Sequence, residues 1–208
     1  MTPLPNWLGA IGRKLLTSHH TVRGIRVTVE NTREDIETGD VVRRLDQAMA
    51  LIDQYTPHYG RHLRRDIAGI LVKRYACRGA YFPDTRTCLV ELTFCVNATI
   101  SQAQIAATIL HEGMHARLHA LGSSLEFADR PREERFCRRA EIEFGRLVPG
   151  GEPVIERALG TLSLADDEVA PRIDERLAAQ RIAQADLDAL RVPRWLKQAI
   201  ARRRGLEA

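Results

Sequence analysis

The sequence is poor in aromatic residues and contains no long apolar run. Aromatic side chains make up 5% of the 208 residues, and no basic stretch is interleaved with them as in proteins that stack nucleic-acid bases. No segment approaches the roughly 20 apolar residues that cross a bilayer as a helix. These absences disfavour a membrane-spanning protein and a base-stacking nucleic-acid binder. Charged residues make up 28% of the sequence, which is typical of a globular domain.

The four cysteines include no C-x-x-C pair. A chain of this length can bury enough apolar surface to fold without disulfides, so reduced, buried thiols are expected. Cys88 and Cys95 stand seven residues apart in one strand-like run, on opposite faces if that strand is straight. We therefore do not expect these two thiols to share a bond or a metal ion.

The net charge is +4 and the isoelectric point is near 9.1. The arginines are nevertheless interleaved with acids, and the longest basic run is Arg202-Arg203-Arg204, so nucleic acid is disfavoured as a partner. Near the N-terminus, prolines precede the apolar patch and no small-residue cleavage site follows it. No signal peptide is predicted, and a cytoplasmic location is expected.

One main domain is expected, because 208 residues suffice for one good core but not for two full-sized ones. The turn at Pro149-Gly150-Gly151 separates this domain from polar helical pieces that are broken at Pro171 and Pro193. The predicted organisation is an N-terminal segment (1–20), a main domain (21–150) and a helical C-terminal extension packed on it (151–208).

Hydrophobic periodicity predicts the elements of the first half of the chain. Residues 22–30 alternate like a strand, and a helix is predicted to begin behind a cap at Asp40. A second helix is predicted from near Leu63 toward the run IAGILV. The alternating segment TCLVELTFCVN is predicted as a single strand with one strongly apolar face.

Two longer helices follow. Ser101 is a good N-cap for a helix that runs to about Leu121, with Gly122 as its stop signal. The next helix is predicted from Pro131, in its first turn, to about Leu147.

The first of these helices carries an H-E-x-x-H sequence made by His111, Glu112 and His115. Histidines four residues apart project from one side of a helix and can bind the same zinc ion. We therefore expect one zinc ion per chain. Glu112 is close enough to act on a water molecule at the metal without binding the metal itself. A polar strip between two apolar stripes is also what a helix that lines a cleft would carry.

A structural role for the same residues is the alternative. In that interpretation backbone carbonyls satisfy His111 and His115, and Glu112 pairs with an arginine such as Arg117. We prefer the metal site, because buried charged groups of this kind are harder to satisfy without a cation.

A third protein ligand would leave one zinc position open for water. His119 lies about 12 Å along the helix from His111, too far to share one ion, and is predicted to contact substrate or solvent instead. The helix after Pro131 offers Glu133, Glu134 and Glu141. Glu133 shares the inward stripe of that helix but could instead face its N-terminal amides, so the choice among the three stays open.

The spacing of these residues resembles the gluzincin branch of the zincin metallopeptidases, in which a second helix donates a glutamate roughly 20 residues after the H-E-x-x-H histidines. The stretch from Arg132 to Phe144 also looks like small uncharacterised bacterial zincin-like proteins. The resemblance covers about residues 87–149 and favours Glu134 as the third zinc ligand. The E-x-x-x-D pairing of well-studied members is missing, because Arg138 follows Glu134 by four residues.

The resemblance implies an α+β fold: a minimal zincin-like domain, residues 21–150, with a small mixed sheet, the H-E-x-x-H helix, the glutamate helix and a helical C-terminal tail. It also implies that the strand from Thr87 is a sheet edge that a peptide could extend. Glu141, on the same face as Glu134, is expected to hydrogen-bond a ligand in place of the missing aspartate.

The function expected from these features is zinc-dependent hydrolysis of a peptide or protein substrate, with Glu112 as the general base. His119 and Tyr81 are candidates to contact the substrate or its oxyanion. The alternatives are a metal-containing regulatory or interaction protein with little proteolytic activity, which would use the C-terminal tail for contact, and a basic nucleic-acid-binding protein.

Overall fold

The structure, a computed structural model, describes residues 16–123, 129–170 and 181–182. The described strands are β1 (Thr17–Val22), β2 (Ile25–Glu30), β3 (Gly69–Lys73), β4 (Gly79–Phe82) and β5 (Thr87–Glu91). The described helices are α1 (Thr38–Tyr55), α2 (Pro57–Asp66), α3 (Leu92–Val96), α4 (Gln102–Ala120), α5 (Arg130–Leu147), α6 (Glu152–Leu162) and α7 (Asp166–Val169). The predictions for residues 1–15, Pro171 and Pro193 lie outside this part of the chain.

The five strands form one mixed sheet in the order β1-β2-β3-β5-β4. The outer pairs β1/β2 and β4/β5 are antiparallel, and the inner pairs β2/β3 and β3/β5 are parallel. Arg23 and Gly24 connect β1 to β2 with φ angles of 46° and 80°, the positive values that a tight two-residue hairpin requires. The prediction of an α+β fold with a mixed sheet is confirmed. Strand β1 extends across residue 20, where the boundary between the N-terminal segment and the main domain is predicted from the sequence.

Helix α1 covers the sheet with the apolar stripe that its sequence predicts. Val41, Leu45, Met49 and Ile52 are all buried, and they belong to the same core as the inner strands and helices α4 and α5. Burial of such a stripe stabilises a surface helix more than its intrinsic propensity does.

The helix predicted from near Leu63 toward IAGILV is wrong, because helix α2 begins earlier, at Pro57, and the run IAGILV lies beyond its end. Helix α2 ends at Asp66, and the chain continues from Gly69 as strand β3. The apolar run is short, and its pairing with β2 on one side and β5 on the other decides its conformation. A β-carbon at Gly69 would lie 2.9 Å from the carbonyl oxygen of Arg26, so this close pairing requires glycine.

The single strand predicted from Thr87 to Asn97 is also wrong in its second half. Strand β5 ends at Glu91, whose carboxylate accepts hydrogen bonds of 2.7 Å from the backbone N–H of Phe94 and the hydroxyl of Thr93. This cap starts helix α3 and moves Cys95 out of the strand that holds Cys88.

Strand β4, and not β5, is the sheet edge next to the H-E-x-x-H helix. Strand β5 is paired on both sides, whereas β4 pairs only with β5 and packs against α4. The expectation that the strand from Thr87 is an edge is therefore wrong, because the chain turns back at 83–86 and adds β4 outside it.

Helices α5 and α6 complete the described fold. Helix α5 packs along α4, and α6 packs along α5, so the described part of the C-terminal extension lies against the main domain. No helix among the described residues combines the length and the apolar character needed to cross a membrane.

Candidate metal centre

Helix α4 presents the H-E-x-x-H residues from a well-fixed start. The Ser101 hydroxyl accepts from the N–H of Gln104, and the Gln104 side chain accepts in return from the N–H of Ser101, which forms a capping box. Both the predicted cap at Ser101 and the predicted stop at Gly122, where φ is 90°, are confirmed. Most of the helix is buried, so His111 and His115 face the interior of the fold.

His111 and His115 lie side by side on α4, with their ring centroids 5.0 Å apart. Each turns its Nε2 atom toward Glu134 of helix α5. His111 Nε2 lies 3.2 Å from one carboxylate oxygen, and His115 Nε2 lies 3.3 Å from the other. The three side chains are between 6% and 14% exposed, so this contact is largely shielded from solvent.

Glu141 lies behind His111, on the opposite edge of the ring. Its Oε1 atom is 2.8 Å from His111 Nδ1, although the angle is not that of a well-aligned hydrogen bond. Arg138 Nη1 donates to the same oxygen at 2.6 Å, and Arg157 Nη2 donates to the other at 2.9 Å. The fully buried carboxylate of Glu141 therefore has three cationic or polar partners, His111, Arg138 and Arg157. A buried charge needs such partners to offset the loss of solvation.

The ionisation of these groups follows from their contacts. Burial acts to lower the pKa of His111, but the carboxylates of Glu134 and Glu141 outweigh burial and raise the pKa to about 9. Burial acts to raise the pKa of Glu134, but its contacts with His111 and His115 hold the pKa well below its usual range. Without a metal ion, the cluster therefore contains a protonated imidazole between two ionised carboxylates.

Glu112 lies beside this cluster and is 7% exposed. Burial raises the pKa of its carboxyl group, partly offset by the nearby His111 and His115. Arg117 contacts Asp66, at 3.7 Å, and not Glu112. The alternative interpretation, with backbone carbonyls on the imidazoles and Arg117 on Glu112, does not describe this arrangement.

Cys137 is a site residue that the sequence interpretation missed. Its thiol and one nitrogen of each of His111 and His115 lie within 4.8 Å of one another, and its side chain is fully buried. The signal was present in the sequence, since Cys137 is three residues after Glu134 and four before Glu141 and so shares their helix face. Arg157, sixteen residues beyond Glu141 on another helix, had no such signal.

The cluster opens onto a cleft of about 460 Å³, bordered by β4, α4, α5 and the end of α7. The predicted site residues that line it are His111, Glu112, His115, Glu133, Glu134 and Tyr81. Five of them come from the two predicted helices, and Tyr81 comes from the edge strand.

The remaining predicted residues lie close to the cluster in other roles. Glu133 is buried, as its helical stripe predicts, and accepts a hydrogen bond from the hydroxyl of Ser123. The Tyr81 hydroxyl is 3.0 Å from His119 Nδ1, so the two candidates for substrate contact form one pair. Burial raises the pKa of Tyr81, and its hydroxyl stays protonated at neutral pH.

The donor separations are compatible with a shared metal ion, although the group whose donor atoms all lie within 4.8 Å of one another is His111, His115 and Cys137. Two ligands held at about 2.1 Å from zinc in tetrahedral geometry stand about 3.4 Å apart. The separations of 3.2 and 3.3 Å between the Glu134 oxygens and the two Nε2 atoms are close to that value. They are longer than the roughly 2.7–2.9 Å of a charge-assisted hydrogen bond.

Comparison of the chain with protein-family models, with curated proteins and with solved structures found no significant match.

Proposed function

We propose that the protein is a zinc-dependent hydrolase that cleaves peptide bonds. The observation that carries the proposal is the position of Glu134, whose two oxygens face His111 Nε2 and His115 Nε2 at 3.2 and 3.3 Å on the wall of a cleft. Two imidazoles, one carboxylate and a neighbouring buried glutamate are the groups that metal-assisted hydrolysis needs.

His111, His115 and Glu134 would hold the ion. Together they supply two neutral nitrogen donors and one anionic oxygen, which leaves a fourth position open. A zinc ion there would lower the pKa of a water molecule and polarise the carbonyl group that the water attacks.

Glu112 would act as the general base. Its burial and its raised pKa suit a carboxylate that accepts a proton from the attacking water and then donates it to the leaving amine. Its place on the cleft wall, beside His111 and His115, gives it access to a water molecule in the cleft.

Glu141 would keep His111 oriented. The carboxylate stands 2.8 Å from Nδ1, and an N–H at that position turns Nε2 toward the ion. Arg138 and Arg157 hold the carboxylate itself, so a residue of the C-terminal extension supports the ligand geometry.

The edge strand β4 favours an extended peptide as the substrate. Its residues Gly79, Ala80, Tyr81 and Phe82 line the same cleft as the H-E-x-x-H residues. An extended chain can pair with the unpaired edge of a strand and so lie across the cleft, with its backbone next to Glu112.

The test combines metal analysis with a peptide-cleavage assay. We expect one zinc per chain in the purified protein, and cleavage of a peptide mixture that stops on chelation and returns with zinc. His111→Ala and His115→Ala should each lose zinc, whereas His58→Ala, a matched change of a partly exposed histidine, should keep it. Zinc without cleavage would support the regulatory alternative, and no zinc would overturn the metal centre.

A further inference from the structure

A second, smaller cavity adjoins the cleft on the side away from His115. Its volume is about 220 Å³, and it shares Cys77, Gly79, His111, Glu112 and Arg138 with the cleft wall. Its other walls are Arg78, Thr108, Glu141 and Arg157. Since a water molecule occupies about 30 Å³ in the liquid, the cavity has room for about seven water molecules, which is enough for a carboxylate-bearing side chain.

Three arginines, Arg78, Arg138 and Arg157, line this small cavity. The carboxylates on its walls are Glu112 and Glu141. Glu141 is already held by Arg138 and Arg157, and Glu112 faces the H-E-x-x-H histidines. The cavity therefore has an excess of positive charge, which a cation bound at the adjacent metal centre would increase.

Part of the hydrogen-bonding capacity of these arginines is not taken up by the described residues. Arg138 Nε is buried and has no hydrogen-bond acceptor among the described residues. Arg78 is exposed, and its guanidinium stands 5.4 Å from the ring of Phe94. Burial lowers the pKa of Arg157, and although Glu141 opposes this, the charges of Arg138 and Arg78 lower it further. An anion in the cavity would relieve this repulsion between like charges.

We propose that this cavity binds a carboxylate group of the substrate, next to the bond that is cleaved. The inference rests on the proposed hydrolytic function and narrows its substrates to peptides with an acidic side chain, or a free C-terminal carboxylate, adjacent to the scissile bond. Guanidinium groups bind carboxylates through paired, charge-assisted hydrogen bonds. His111 and Glu112 line both cavities, which brings the bound carboxylate within about one residue of the reacting carbonyl.

Arg78 is the residue through which to test the proposal, because Arg138 and Arg157 also hold Glu141. The assay compares kcat/KM for pairs of peptides that differ only by Glu against Gln, or by a free acid against an amide at the C-terminus. In the wild type we expect at least a tenfold preference for one acidic member, and the pair that shows it identifies the source of the carboxylate. Arg78→Gln should reduce this ratio severalfold, and Arg78→Glu should reduce it further, in favour of the neutral member of the pair.

The matched control is Arg139→Gln, which changes an exposed arginine of the same helix as Arg138 that borders a different cavity. It should leave the preference intact. Equal kcat/KM for both members of every pair in the wild type, or an unchanged ratio in Arg78→Gln, would overturn the carboxylate site while leaving hydrolysis in place.

A binding measurement separates failure of this inference from failure of the proposed function. Metal-free protein is titrated calorimetrically with glutarate and with the neutral glutaramide. Glutarate should bind at least tenfold more tightly, and Arg78→Gln should reduce the difference severalfold. That result supports the carboxylate site even if no peptide is cleaved, whereas equal binding of both compounds counts against it even in an active enzyme.

Discussion

Gly79 of the edge strand lies directly against the carboxylate of Glu112. A β-carbon built at position 79 would stand 2.7 Å from Glu112 Oε1 and 2.7 Å from the Thr108 methyl group. Real side chains do not approach so closely, and therefore only glycine at this position leaves Glu112 where it is. The position of the proposed base, Glu112, therefore depends on the register in which β4 pairs with β5.

We expect Gly79→Ala to keep zinc and fold but to lower the rate of hydrolysis at least tenfold. The new methyl group must push Glu112 aside, and small displacements of a catalytic group carry large costs in rate. Zinc content, melting temperature and kcat check this. The control is Gly160→Ala in helix α6, where no atom lies within 4 Å of the new β-carbon. A wild-type rate in Gly79→Ala would contradict the contact.

Glu112→Gln should retain zinc and a folded structure and should lose hydrolysis by about 10²-fold or more. The amide keeps the shape of the side chain but cannot accept the proton from water. Turnover is measured beside zinc content, so that loss of the metal is not mistaken for loss of the base. If the variant keeps more than about a tenth of the wild-type rate, Glu112 is not the general base.

Local signals explain why the two site helices could be predicted from the sequence. Ser101, Gln104 and Gly122 mark the ends of α4, and Pro131 marks the start of α5, all through contacts within a few residues. The candidate metal residues of α4 could be named from the H-E-x-x-H spacing, whereas Glu134 is favoured by the resemblance to the gluzincins and Glu141 by its place on the same face of α5.

Non-local contacts explain what could not be predicted. Nothing local in IAGILV distinguishes a buried strand from a helix, and its pairing partners decided the outcome. The alternation from Thr87 to Asn97 hides the side-chain cap made by Glu91. The arginine on Glu141 comes from the next helix, α6, and only the folded chain brings Arg157 there.

The Cys77 thiol should react slowly with alkylating reagents at pH 8. Burial and the negative charge of Glu112 raise the pKa of Cys77 to about 11, although a backbone hydrogen bond with Gly79 opposes them. Since the thiolate is the reactive form, labelling by iodoacetamide should be roughly a hundredfold slower than that of a free thiol and should accelerate toward pH 11.

The labelling experiment uses chelator-treated protein and mass spectrometry of the Cys77 peptide, with glutathione as the reference thiol. Glu112→Gln removes the larger of the two carboxylate charges, those of Glu112 and Glu134, that raise the pKa of Cys77, so labelling at pH 8 should be faster. Equal rates in wild type and variant would mean that Cys77 does not sense Glu112.

The stability of the metal-free protein should fall as pH rises from about 6.5 to about 9. Contacts with Glu134 and Glu141 overcome the effect of burial and raise the folded-state pKa of His111 to about 9, above the unfolded value of about 6.5. The stabilisation is complete below pH 6.5 and disappears as His111 loses its proton through pH 9. It amounts to a few kcal/mol at most, since one pKa unit corresponds to about 1.4 kcal/mol.

Urea unfolding at several pH values, with chelator present, measures this dependence. His58→Gln is the control, because it removes a partly exposed histidine that lies outside the cluster. His111→Gln should flatten the curve between pH 6.5 and 9. A metal-free protein that is equally stable at both pH values would contradict the charge assigned to His111.

Glu134 and Cys137 are the two candidates that the structure places beside His111 and His115 for the third ligand of the proposed zinc ion. Burial, and then the charges of Glu134, Glu112 and Glu141, raise the pKa of Cys137 well above its usual value. Without a metal ion its thiol is therefore hard to ionise, whereas Glu134 is already an anion that faces both imidazoles. Glu133 is engaged by Ser123 instead.

We expect Glu134→Gln to cause the largest loss of zinc affinity, Glu141→Gln a loss of about 10- to 100-fold through the orientation of His111, and Glu133→Gln little change. Competition with a chromophoric chelator measures the series. Cys137→Ser should bind zinc nearly as well as wild type, and the cobalt-substituted protein should lack a thiolate charge-transfer band. If that band is present and disappears in Cys137→Ser, the thiol is a ligand, because only a direct metal–sulfur bond produces it, and Glu134 would then have to serve the site as a carboxylate beside the metal.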